Sequence, residues 1–150
     1  MKSLLNPEDA EGIIKRGKML QANLLPKWGS MNVTEMLHHC NKATDAILQG
    51  KGESKKSTLK QKIIRFLFLN VIRKFPKNAN APERFNIKKR QLKPDEFEVE
   101  LENYIKLATK FTKHKEPIIV SHPYFGKLST KEWGVFTWMH LDHHLRQFGL

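Results

Sequence analysis

A single cysteine, Cys40, is all the thiol chemistry this chain carries, so no internal disulfide can form. Long apolar runs are missing too. A spanning helix needs roughly 20 uninterrupted apolar residues, and the best stretch, Ile63 to Ile72, is broken by Arg65 and Asn70. The first residues hold no apolar segment long enough for a signal peptide, and Glu8 and Asp9 arrive early. Together these absences predict a cytoplasmic protein. Acidic residues are also scarce, 15 against 27 Lys and Arg, which gives a net charge of +12 and a pI near 9.9. The excess is local, because between Lys51 and Lys93 only Glu53 and Glu83 are acidic. Such a patch can attract nucleic acid or an anionic membrane surface. No helix-turn-helix cue, zinc-finger spacing or aromatic-studded strand accompanies it, so a basic solvated surface is the reading preferred.

At 150 residues, with 39% hydrophobic and 28% charged, the chain can bury one core but is short for two, so we expect one domain over 1–150. Helix signals recur along it. Asn6-Pro7-Glu8-Asp9 offers an N-cap, a proline at the first helical position and carboxylates at the positive end of the helix dipole. That predicts helix one from Pro7 to about Leu24, before Pro26. Asn32 with Glu35 three residues later forms a capping box, and Val33, Met36, Leu37, Cys40, Ala43, Ile47 and Leu48 follow at helical spacing. Helix three opens at Pro94-Asp95-Glu96 and carries Phe97, Leu101, Tyr104, Ile105, Ala108 and Phe111 on one stripe, ending near His114. Helix four begins at the capping box Ser129-Thr130-Lys131-Glu132 and runs to Phe148, with Gly149 as its C-cap. No strand pattern, repeat or low-complexity tract competes.

The sum is an all-α four-helix bundle. The connection from Gly50 to Lys93 exceeds what a tight turn needs, so it predicts a crossover between helices two and three carrying an extra helix. That extra element is Leu59 to Phe75, basic and apolar around more than half its circumference. Burial is the expected fate of so apolar a segment; a homodimer contact or an interfacial membrane helix are the other uses of it. Cys40, near the middle of the helix-two stripe, reads as a small core hydrophobe and not as a ligand or reactive thiol.

Histidines carry the chemistry. His140 and His144 are four apart, and helical neighbours at that spacing stand roughly 5–6 Å apart at Cβ, close enough for two imidazoles to share one metal ion. On a helical wheel they fall within a sector of roughly 80° with Trp133, Phe136 and Thr137. His143 lies to one side and Asp142 opposite, which makes Asp142 a solvated or interface carboxylate. On helix two, His39 falls beside Ala43 at the edge of the apolar stripe, while His38 falls near the far side. His122, before Pro123 in a loop, suits a pocket rim, and His114 the surface.

Two blocks carry a family resemblance: Trp28-Gly29-Ser30-Met31-Asn32-Val33-Thr34-Glu35-Met36-Leu37-His38-His39-Cys40, and His122-Pro123-Tyr124-Phe125-Gly126 through Glu132-Trp133 to His140-Leu141-Asp142-His143-His144-Leu145-Arg146-Gln147-Phe148-Gly149. They resemble the DinB-like (YfiT-like) superfamily of four-helix-bundle metalloproteins, in a subfamily of unknown function. By position, the resemblance implies a divalent ion, nickel or zinc, on His39, His140 and His144, with open positions for water or substrate. It further implies a transferase that uses a low-molecular-weight thiol as cosubstrate toward a small-molecule substrate, or a variant that activates water. In that chemistry the metal lowers the pKa of the thiol, so no protein nucleophile is needed. The alternative is a noncatalytic basic module for nucleic acid or anionic membrane.

Overall fold

The computed structural model describes residues 1–50, 52, 54–77 and 96–150. The expected helix start at Pro94-Asp95, and the connection from Asn78 onward, lie outside the described residues. Helices dominate, as the sequence predicts. Helix α1 spans Pro7–Gly17, with the Asn6 side chain accepting from the Asp9 amide and Pro7 at the first helical position. It stops well short of Leu24. At Gly17 the helix meets the ring of Tyr104, where an added Cβ would come within 2.8 Å, and the chain then turns to send Leu20 into the core. Helix α2 spans Val33–Leu48 behind the Asn32/Glu35 capping box. Its stripe of Val33, Met36, Leu37, Cys40, Ala43 and Ile47 is buried as expected.

Helix α3, Leu59–Phe66, is capped by Thr58 and Gln61 and widens into a π-helical turn over Leu67–Ile72. Arg73 ends it in the left-handed region, its amide donating to the Phe68 carbonyl. The expectation of burial fails here. Phe68 and Leu69 are buried and Phe75 packs partly buried against the core, whereas Leu59 is 74% exposed and Phe66 is 61% exposed. The reason is geometric: one face of a short helix is enough to cover the chain around Gly126–Lys127 and the C-terminal helix Thr130–Gln147 below it, so the surplus apolar residues face out. None of the described helices is long and apolar enough to cross a membrane.

Helix α4, Phe97–Thr112, buries Tyr104, Ala108 and Phe111 together with Glu100. A short antiparallel hairpin follows, β1 (Ser121–His122) pairing with β2 (Gly126–Lys127), in a stretch expected to be loop. Helix α5, Thr130–Gln147, starts at the Ser129/Glu132 capping box and ends with Gly149 at a φ of 85°. α2 packs along α4, α1 lies against α4 and α5, and α2 also meets α5. The shared core includes Leu4, Ile13, Met36, Leu37, Phe111, Leu128, Trp133, Leu141 and Leu145. Where α2 meets α5 the interior turns polar.

Candidate metal centre

The capping box at Ser129 fixes where α5 begins, and the buried Trp133, Phe136 and Thr137 fix its rotation. That rotation carries His140 and His144, one turn apart, to the side facing α2, from which His39 projects. The three rings meet. His39 Nε2 lies 3.1 Å from His140 Nε2, and His144 Nε2 lies 3.1 Å from the same atom. One nitrogen from each residue falls within 4.8 Å of the other two. Zinc bound by imidazole keeps its nitrogens at about 2.0–2.1 Å, so tetrahedral ligands sit about 3.3 Å apart and octahedral neighbours about 3.0 Å. The two 3.1 Å separations about His140 suit both. His39 and His144 are buried, and His140 is partly buried.

The next layer of residues decides which nitrogens carry protons. Gln147 Nε2 donates to the Trp28 carbonyl at 2.9 Å, and that carbonyl can only accept. The amide oxygen of Gln147 must therefore face His144 Nδ1, 2.8 Å away. Oxygen accepts, so His144 Nδ1 bears the proton and its Nε2 presents a bare lone pair to the cluster. Gly29 makes room for this arrangement: its φ is +85°, and a Cβ there would come within 2.3 Å of Gln147 Nε2. A proton on His140 Nε2 can point at His144 or at His39, and one hydrogen does not satisfy both. A cation at the centre would satisfy all three nitrogens, which is the fit between these residues and a metal ion.

Electrostatics point the same way. Burial, followed by the fields of His144 and His39, holds His140 well below the usual imidazole range. His144 is lowered by burial and by His39, against a smaller upward pull from its Gln147 hydrogen bond. Neutral imidazoles are the form that binds metal. One wall of the site is aromatic. Phe136 stacks on His140 with ring centroids 6.2 Å apart, and Phe75 approaches His140 at 5.8 Å and His143 at 5.5 Å. Low local polarity of this kind strengthens any charge interaction within.

The remaining sequence candidates take other positions. Asp142 pairs with Arg16 of α1 at 2.7 Å and with Arg146 at 3.0 Å, an interface carboxylate as expected. His143 lies beside Trp28 and Phe75 and is lowered by burial and by Arg146, with Asp142 opposing. His122 accepts from the Tyr124 and Phe125 amides through Nδ1, and its ring packs on Phe125 and Phe136. It therefore shapes the aromatic wall next to the cluster. His114 is partly buried near Phe111. Cys40 lies in the core with its thiol against Met36, and burial pushes its pKa far above the thiol range.

His38 is a correction. It does not face solvent but is buried against α4, its Nδ1 2.6 Å from Glu100 Oε1. Asn41 donates to both the carbonyl and the carboxylate of Glu100. The wheel of α2 counted apolar residues and so assigned its polar flank to water. Glu100, Tyr104, Ala108 and Phe111 share one face of α4, and that spacing was the available signal for a buried carboxylate. Gln147 and Phe75 were likewise not anticipated.

Fold and site together define a mostly helical protein with a buried cluster of three histidines able to hold a metal ion. The chain belongs to the DUF1569 family, described as a protein of unknown function, whose family model matches residues 2–149. No curated protein matches it, and no solved structure does.

Proposed function

We propose that the chain is a divalent-metal enzyme of the DinB-like type, with nickel or zinc on His39, His140 and His144 and a small-molecule substrate. The reaction proposed is transfer to a low-molecular-weight thiol, or hydrolysis by activated water. The observation that carries it is the convergence of three imidazole nitrogens, one of them held as an acceptor by Gln147. When bound, the ion supplies Lewis acidity that lowers the pKa of a thiol or water at its open positions. The chain's own part is positional. Gln147 keeps His144 in one tautomer, Phe136 and Phe75 exclude water from one side, and Cys40, buried elsewhere in the core, leaves the nucleophile to come from outside.

The bundle topology of that superfamily is part of the proposal, and the packing of α2 along α4 is what supports it. His38 and Asn41 meet Glu100 in the first turn of α4, and these residues line one groove with Lys42, Asp45, Asn103, Lys106 and Lys110. Metal analysis of protein purified without a nickel column tests the reading. One equivalent of nickel or zinc per chain is expected. Only traces, with no uptake of added Ni²⁺ or Zn²⁺ by calorimetry, would overturn it.

A further inference from the structure

The apolar surface of α3 and its π-helical extension is the feature the metal centre does not use. Taking about 100° per residue, Leu59, Ile63, Phe66 and Leu67 fall on one stripe, with Lys62 flanking it on one side and Lys60 on the other. All four apolar residues are exposed, Leu59 at 74% and Phe66 at 61%, and Val71 extends the patch at 63%. The opposite face is tied down. Gln61 donates to the Pro123 carbonyl, Arg65 pairs with Glu132 and donates to the Lys127 carbonyl, and Phe68 and Leu69 enter the core. The stripe is therefore held outward by the fold, and contiguous exposed apolar surface of this kind marks a contact site.

Charge selects the occupant. From Ser54 to Lys77 the sequence has eight Lys or Arg (Lys55, Lys56, Lys60, Lys62, Arg65, Arg73, Lys74 and Lys77) and no acidic residue. A second copy would bring the same positive charges against these, on a chain already at +12, and like charges oppose such a contact. Nucleic acid answers the lysines and can stack a base on Phe66, but it offers nothing to Leu59, Ile63, Leu67 and Val71, which make up the rest of the patch. A bilayer with anionic lipid answers both, taking the apolar stripe between the acyl chains while the lysines reach the headgroups. We propose that Leu59 to Ile72 lies in the plane of an anionic membrane surface as an interfacial helix, with the apolar stripe inserted. This docks the molecule on the side where Phe75, just after the segment, packs over His140 and His143.

Flotation with phosphatidylcholine vesicles, with and without phosphatidylglycerol, tests the proposal on the full chain. Binding is expected only with the anionic lipid, and added salt should weaken it. Lys60→Gln with Lys62→Gln should lower the partition coefficient roughly 25-fold, at about fivefold per lysine near the surface. Ile63→Ser with Phe66→Ser should lower it about tenfold or more. Both pairs are exposed in the free protein, and circular dichroism with thermal unfolding checks that each variant folds. Three results would overturn the idea: no binding to anionic vesicles at low salt, binding that the Ser pair leaves unchanged, or a dimer in sedimentation equilibrium that the Ser pair abolishes. Duplex DNA that displaces the protein from vesicles and binds the Ser pair as well as the parent would reassign the patch to polyanions.

Discussion

His38 and His39 are consecutive in α2 and both buried, yet α4 and α5 give them different partners. His38 meets a carboxylate: Glu100 takes its Nδ1, and Asn41 holds the second carboxylate oxygen. His39 meets two more imidazoles. The carboxylate closes the Nδ1 of His38 locally, because acceptor and donor meet, while its buried Nε2 has no hydrogen-bond partner among the described residues. Three imidazole nitrogens facing one another do not all close, since one hydrogen on His140 Nε2 cannot serve both of its 3.1 Å contacts. The contrast teaches that burial alone says little about a histidine; the chemistry of the facing helix decides between a structural pair and an open ligand set.

The sharpest way to break this comparison is to remove a ligand on one side and a partner on the other. His140→Ala takes out the ring that touches both of its neighbours. Loss of residues that merely orient ligands costs about 10–100-fold in metal affinity, so loss of the central ligand should cost at least about a hundredfold. Calorimetry with Zn²⁺ and Ni²⁺ on the folded variant checks it, and unchanged affinity would remove His140 from the ligand set. Glu100→Ala should do the reverse. It strips His38 of its buried partner and leaves Asn41 only the backbone carbonyl of residue 100, which should lower unfolding free energy by about 3 kcal/mol or more, read by urea denaturation. Metal stoichiometry should survive. If Glu100→Ala instead abolished metal binding while the fold held, the two histidine environments would not be separate.

How far this was legible from sequence follows the same division. His140 and His144 were readable because spacing on one helix is local, and the aromatic residues flanking them gave the direction of the core. His39 was readable as the edge of a clear apolar stripe. The capping boxes at Asn32 and Ser129 placed two helix starts to the residue. His38 was not legible, since its burial depends on α4 lying along a flank that carries polar side chains. Gln147 depends on a loop more than a hundred residues away bringing the Trp28 carbonyl to the end of α5. The segment from Leu59 misled because composition reports how apolar a helix is and not how much neighbouring surface exists to cover it. Strands of two residues, as in the hairpin, are too short for alternation to show.

Gln147→Leu sharpens the comparison within the imidazole cluster. It keeps the packing volume of the side chain but removes the acceptor that holds His144 Nδ1–H and the donor to Trp28. His144 can then take the other tautomer, with its proton pointing into the cluster. Metal affinity should fall by about 10–100-fold, the range for outer partners of a ligating histidine. The discriminating readout is the nitrogen-15 spectrum of the metal-free protein, in which His144 should move from a single Nδ1–H form toward a mixture. An unchanged tautomer would mean that Gln147 does not set it.

The smallest effect expected is a pH slope in the stability of the metal-free protein. Folding holds His140 and His144 neutral well below their ordinary pKa, chiefly through burial, and His143 is shifted the same way. The unfolded chain takes up protons on these rings near about pH 6.5. Below that value the unfolded state binds more protons than the folded one, so stability falls as pH falls. It is fully present above the unfolded pKa and is lost progressively on the way down to the folded values. The melting temperature of metal-free protein should therefore drop from neutral pH toward pH 5, and His140→Gln with His144→Gln should flatten that slope. Bound Zn²⁺ should raise the whole curve while steepening its acid side, because protons must then displace a ligand-bound ion. A double variant that keeps the parent slope would assign the acid sensitivity to groups outside the cluster.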